Sequence, residues 1–105
     1  MSVVEGKLAE LGITLPEAAA PVANYVPFVR TGDLVVISGQ ICFGADGKIA
    51  DAHKGKLGQN VSVEDGREAA RLCAITLLAQ LKAAVGDLDR VERIVKLGVF
   101  VNSDP

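Results

Sequence analysis

The sequence predicts an α+β fold, a mixed β-sheet packed on one face by helices, and three stretches of the chain support this. The first runs from Leu34 to Gln40, where four branched apolar residues before Ser-Gly-Gln are typical of a central strand buried on both faces. In the second, residues 62–85, apolar residues recur at three- and four-residue steps, which predicts an amphipathic helix. The third, residues 93–102, alternates with period two and predicts a strand that returns to the sheet through a right-handed crossover.

The N-terminal part of the chain predicts a short helix followed by a connector. The stretch from Ser2 to Glu5 has the Ser-x-x-Glu form of a capping box, and Gly12 supplies a stop. Pro16 and Pro21 flank a run of alanines. The prolines favour an extended connector, while the helix propensity of alanine favours a second helix, and we prefer the connector.

A β-hairpin is predicted to lead into the central strand. Residues 25–30 predict its first strand, and Gly32-Asp33 its turn. Because Pro27 cannot donate a hydrogen bond to a ladder, this strand is expected at an edge or paired on one side only. Residues 41–43 are compatible with an extension of the second strand, and residues 44–47 predict another turn.

Residues 48–60 have no sustained period and predict a surface loop, with one short strand near Ile49. Ser62 is the predicted cap of the long helix, Gly86 its end, and Asp87 the cap of the brief turn that follows. The helix is expected to bury a stripe formed by Ala70, Cys73, Leu77, Leu81 and Ala84.

The final predicted strand would present one apolar face to the long helix. That face comprises Val95, Leu97, Val99 and Val101. Three strands and one long helix leave the other face of the sheet and at least one edge uncovered. We therefore expect more chain or a partner to complete the domain.

Composition narrows the class of protein. The chain has 105 residues, 50% of them hydrophobic, and 11 Lys and Arg against 13 Asp and Glu. This fits a single domain, 1–105, with an N-terminal helix and connector, 1–22, and the first part of the main fold, 23–105. Without a basic cluster we expect no nucleic acid partner, and without a long apolar run or signal peptide we expect no membrane and a cytoplasmic location. Two cysteines with no motif spacing are expected to be free thiols.

Three residues around the end of the central strand are candidates for binding a small ligand. Ser38 offers a hydroxyl, and Gly39 lets a ligand approach the main chain. Tyr25 is the third candidate, and Gln40 is given a supporting role. Each of the three also has a purely structural alternative. Tyr25 would pack on a neighbour in an edge strand, Ser38 would satisfy the end of the strand, and Gly39 would mark a β-bulge.

Five other residues are weaker candidates. His53 is expected to be a surface side chain in a polar loop, with a role as base or ligand as the alternative. Cys73 is expected in the core, and Cys42 is a candidate for the border of the ligand cleft. Lys96 and Asn102 share the mixed face of the last predicted strand and are the weakest candidates.

The chain resembles the RidA/YjgF family, also called the L-PSP endoribonuclease family. The resemblance rests on Asn24-Tyr25-Val26, on Thr31 to Leu34, on Ser38-Gly39-Gln40, and on the long helix with Gly86-Asp87-Leu88-Asp89-Arg90-Val91 and the final Val99-Phe100-Val101. It covers nearly the whole chain after the connector, and residues 2–21 look like the N-terminal extension of the family's longer branch. It implies a chorismate-mutase-like fold, assembled as a homotrimer with clefts between subunits, in which Tyr25, Ser38 and Gly39 bind substrate.

The implied activity is hydrolysis of reactive enamines and imines to 2-oxo acids and ammonia, with no metal or organic cofactor. In the family an arginine binds the substrate carboxylate and a glutamate positions the attacking water. Both lie beyond Pro105, in the segment with the family's C-terminal strands. None of the chain's own arginines occupies that position: Arg30, Arg67, Arg71, Arg90 and Arg93. The alternatives are a regulatory trimer that binds small carboxylates without turnover and, third, the ribonuclease of the family's older label.

Overall fold

The computed structural model describes residues 2–18, 20 and 24–105. Two α-helices and one β-hairpin form its regular structure: α1 (Val3–Glu10), β1 (Phe28–Thr31), β2 (Leu34–Ile37) and α2 (Val63–Val85). Short 3-10 helices span Asp51–His53 and Leu88–Arg90. The described part of the connector, 13–18 and 20, is non-helical as predicted, while Ala19 and Pro21 lie outside the described residues.

Helix α1 begins where the capping box predicts. The hydroxyl of Ser2 accepts a hydrogen bond from the backbone N–H of Glu5 at 2.9 Å, and the helix ends before Gly12, whose φ is +74°. Lys82 on α2 forms an ion pair with the Glu5 carboxylate. The N-terminal helix is thereby connected to the far end of α2.

The hairpin has the predicted turn but shorter strands. β1 and β2 pair antiparallel from Phe28↔Ile37 to Thr31↔Leu34, with Gly32 at φ +57° in the turn. The prediction of a strand from residue 25 is wrong, since the ladder begins after Pro27, which has no N–H to donate. The extension over residues 41–43 is also absent, because the chain makes a tight turn there.

The predicted central, doubly buried strand is wrong for β2. Among the described residues β2 pairs with β1 alone, and Leu34 and Val36 are 44% and 57% exposed. Helix α2 contacts both strands of the hairpin. The apolar sequence of β2 is that of a strand with neighbours on both sides, but the described chain supplies only one.

Helix α2 has the predicted caps but a different buried face. Ser62 accepts from the N–H of Asp65 at 3.1 Å, and Gly86 closes the helix at φ +85°. The most buried positions are Thr76, Ala79 and Gln80, whereas Ala70 is exposed and the other residues of the predicted stripe are half-buried. Leucines and isoleucine surround much of the helix, so apolar spacing alone did not fix which face turns inward.

The loop before α2 is ordered by backbone contacts. Residues 48–60 form a loop as predicted, but the short strand near Ile49 is replaced by the 3-10 helix Asp51–His53. Leu57 pairs with Ser103 in an isolated bridge, and its N–H donates to the carbonyl of Asn102 at 2.9 Å. The last residues of the chain therefore lie against this loop.

Residues 93–102 do not form the predicted strand or the crossover unit. A strand requires a hydrogen-bonded neighbour, and the described chain places none along most of this stretch. The face expected to pack on α2 is exposed, and so is Phe100, at 100%. The buried core is accordingly small, centred on Leu88, which is 2% exposed, and formed with Leu8, Val61 and Ala79.

Neither helix in the described ranges combines the length and hydropathy that crossing a bilayer requires.

Candidate functional site

The open end of the hairpin brings two of the predicted segments together. Beyond the last ladder pair, the N–H of Ser38 donates to the carbonyl of Pro27 at 2.9 Å. The Ser38 hydroxyl donates to the carbonyl of Val26 at 2.5 Å. These two bonds hold the segment that carries Tyr25 beside the end of β2.

The other two candidates are accessible at this hairpin end. Tyr25, next to Val26, is 43% exposed. A Cβ built on Gly39 would meet no atom within 4 Å, so the main chain there faces open space. The side-chain amide of Gln40 donates to the carbonyl of Ser38 at 3.2 Å. The arrangement offers a hydroxyl, a phenol and accessible main chain to a small polar ligand.

Three of the chain's arginines are engaged elsewhere. Arg30 lies at the turn end of the hairpin, with its Nε 3.4 Å from the carbonyl of Gly32. Arg71 forms an ion pair with Glu68, and Arg90 donates to the carbonyl of Val85 at the end of α2. None of these contacts involves the Ser38 end of the hairpin.

Two of the weaker candidates, His53 and Asn102, lie in the loop before α2 or against it. The His53 ring is half-buried rather than fully exposed, and its Nδ1 is shielded from solvent without a hydrogen-bond partner in the described part of the chain. The Asn102 side-chain amide lies 3.4 Å from the carbonyl of Gly55, so it holds the loop. Across the described ranges no three His, Cys, Asp or Glu side chains come close enough to share a metal ion.

The two cysteines are free, as predicted, and are neighbours, which the sequence did not reveal. Both are half-buried, and the side chain of Cys42 is close enough to influence that of Cys73. Burial raises the pKa of the Cys73 thiol, and the charge and hydrogen bond of Cys42 raise it further. No spacing rule would have found a pair this far apart in sequence.

A separate cavity of about 480 Å³ lies between the connector and α2. It is lined by Pro16 and Glu17 of the connector, by the turn 43–47 and by Thr76 of α2. Tyr25, Ser38 and Gly39 do not line it. The predicted site at the hairpin end is therefore separate from this cavity.

Comparison with known proteins places this architecture in an established class. The family model described as YjgF/chorismate mutase-like, putative endoribonuclease matches residues 5–104. Protein TCP17 of Trypanosoma cruzi is 47% identical over 102 residues, which are 97% of this chain and 62% of that protein. The chain thus spans less than two thirds of this curated relative.

Two solved structures are also similar. The structure of a putative endoribonuclease from Shewanella oneidensis MR-1 superposes with a TM-score of 0.81 at 36% identity, covering 89% of this chain and 60% of that one. The protein Atu1372 of unknown function from Agrobacterium tumefaciens has a TM-score of 0.74 at 47% identity, covering 89% and 55%. The chain belongs to the YjgF/chorismate mutase-like family, with an α+β fold, as its sequence motifs predicted.

Proposed function

We propose that the protein hydrolyses reactive enamines and imines to 2-oxo acids and ammonia, and that Tyr25, Ser38 and Gly39 bind the substrate. The observation that carries the proposal is the pair of hydrogen bonds from Ser38 to the carbonyls of Val26 and Pro27. They bring together the segments that resemble the substrate-binding positions of RidA-type deaminases. Tyr25 and Gly39 are exposed at this hairpin end, as expected of half a cleft completed by another subunit.

The chemistry divides between binding and hydrolysis. A planar 2-imino acid offers a carboxylate to hydrogen-bond donors, and the phenol of Tyr25 and the accessible main chain at Gly39 can supply them. Hydrolysis needs a cation for the carboxylate and a base that positions water at the imine carbon. By family resemblance these roles belong to an arginine and a glutamate that follow the segment described here.

The proposed assembly is a homotrimer whose clefts lie between subunits. Its support is the apolar surface that the described chain leaves exposed, on the hairpin and along residues 94–101. Extended exposed apolar surface is typical of interaction sites. Sedimentation equilibrium gives the subunit number directly, and a monomer at all concentrations would contradict the trimer.

The activity is tested with an imine generated in situ by a pyridoxal-phosphate enzyme that dehydrates an amino acid. We expect 2-oxo acid and ammonia to appear faster with the protein than in buffer alone. In parallel, a stable 2-oxo acid is titrated against the ¹⁵N-labelled protein, and the amide signals of Ser38 and Gly39 are expected to shift. Binding without added turnover would contradict the deaminase and leave a carboxylate-binding protein.

A matched serine pair controls this experiment. Ser38→Ala removes the hydroxyl that bonds to Val26, whereas Ser103→Ala removes one from an exposed serine distant in sequence. We expect weaker 2-oxo acid binding in the first variant and unchanged binding in the second. Equal effects would show that the hairpin end is not the binding site.

Ribonuclease activity finds less support in this chain, despite the description of the family and of the Shewanella structure. The net charge is −2, and phosphate binding relies on clustered Lys and Arg. Salt-sensitive binding of single-stranded RNA, measured by fluorescence anisotropy, would overturn this ranking.

A further inference from the structure

A tight turn after the hairpin places Cys42 against helix α2. The N–H of Phe43 donates to the carbonyl of Ile41 at 2.9 Å, which makes Cys42 the central residue of a three-residue turn. The same carbonyl lies 3.4 Å from the hydroxyl of Thr76, and that hydroxyl bonds to the carbonyl of Cys73 at 2.8 Å. Thr76 is one helical turn after Cys73. These contacts therefore place Cys42 against the side of α2 that carries Cys73.

The thiols themselves meet at this junction. Their side chains are close enough to interact, and each is half-buried, so a small oxidant can reach them. We propose that Cys42 and Cys73 are a reversible disulfide pair that a peroxide oxidises. The pair is separate from the substrate residues, although Cys42 follows the Ser38-Gly39-Gln40 segment by two positions.

The oxidation needs two steps. The Cys42 thiolate attacks one oxygen of the peroxide, the O–O bond breaks, and the other oxygen leaves with a proton as water or an alcohol, giving a sulfenic acid. The Cys73 thiolate then attacks the sulfenic sulfur, the S–S bond forms, and hydroxide leaves and is protonated to water. Two thiols thus lose two electrons and two protons to the peroxide. Burial raises the pKa of the Cys73 thiol, which favours Cys42 as the first nucleophile.

The bond would tie the segment beyond Gly39 to α2. It would close a loop over residues 42–73, which limits the conformations of the unfolded chain. The oxidised form is therefore expected to melt at a higher temperature than the reduced form. Reduction by a dithiol would restore the original melting curve.

The test treats the reduced protein with hydrogen peroxide, blocks remaining thiols under denaturing conditions, and measures the intact mass. We expect both thiols to be lost, with a mass lower by two hydrogen atoms and no covalent dimer. Trypsin without reductant should release peptide 31–48 linked to peptide 72–82, and dithiothreitol should separate them. Two alkylatable thiols after oxidation, or linkage found only in covalent dimers, would overturn the proposal.

Single-cysteine variants control for oxidation elsewhere. Cys42→Ser and Cys73→Ser should each give no linked peptide and no rise in melting temperature with peroxide. Since the linked peptide is measured in the unsubstituted protein, the outcome does not depend on either variant folding. A rise in melting temperature in both variants would show that another oxidised group is responsible.

Discussion

The carboxylate of Asp89, in the 3-10 helix that follows α2, caps the first residues of helix α1, Val3 and Val4. Its Oδ2 accepts a hydrogen bond from the N–H of Val3 at 2.7 Å, and its Oδ1 one from the N–H of Val4 at 2.9 Å. The Ser2 hydroxyl accepts a hydrogen bond from the N–H of Glu5. The first three backbone N–H groups of the helix therefore all have hydrogen-bond acceptors. A negative group at this end also complements the helix dipole.

Asp89→Asn is expected to destabilise the protein by about 1 kcal/mol. One amide oxygen can replace one carboxylate oxygen, but the NH₂ group would then face the second backbone donor. Urea denaturation followed by circular dichroism measures the change. Asp33→Asn, in the hairpin turn, is the matched control and is expected to change little, since both residues suit turns. Equal losses in the two variants would argue against the capping role of Asp89.

Gly86→Ala is expected to cost about 1 kcal/mol, because φ is +85° and a Cβ is disfavoured there. A Cβ at this position would meet no neighbour, so the cost is that of the backbone alone. Gly58→Ala, at φ +90°, would add a contact 2.5 Å from the Asp104 carboxylate and should cost more. Thermal melts of the two variants rank them. A smaller loss at Gly58 would show that the Asp104 side chain moves aside freely.

The raised pKa of Cys73 predicts a loss of stability at alkaline pH. As pH rises past the ordinary thiol pKa, the unfolded chain releases this proton before the folded chain does. The contribution is therefore fully present below the ordinary thiol pKa and is lost as pH rises through the raised folded value. Unfolding free energies measured from about pH 8 to about pH 10 should fall more steeply in the reduced protein than in Cys73→Ala. Parallel slopes would contradict the shift.

Tyr25→Phe is expected to weaken binding of a 2-oxo acid while leaving the melting temperature nearly unchanged. The side chain is partly exposed, so losing its hydroxyl leaves no buried polar group unpaired. Calorimetric titration and a thermal melt separate the two effects. A large fall in melting temperature would show instead that Tyr25 is structural.

The sequence predicted the helix caps, which depend on neighbouring residues, but not the contacts between residues far apart in the chain. The caps at Ser62 and Asp87 depend on residues two or three positions away, and both form as predicted. The strand at 93–102 needed a partner that periodicity cannot identify, so it was wrong. For the same reason the sequence could not reveal that Cys42 and Cys73 are neighbours. Tyr25 and Ser38 were selected as candidates with the help of the family motifs.

The capping of α1 by Asp89 has a consequence for synthesis. An eight-residue helix is too short to be stable alone in water, and its cap is 86 residues further along the chain than Val3. Helix α1 is therefore expected to become stable only after residue 89, although it leaves the ribosome before α2. Stalled nascent chains should show a protease-sensitive N-terminus until residue 89 has emerged, and early protection would contradict this order.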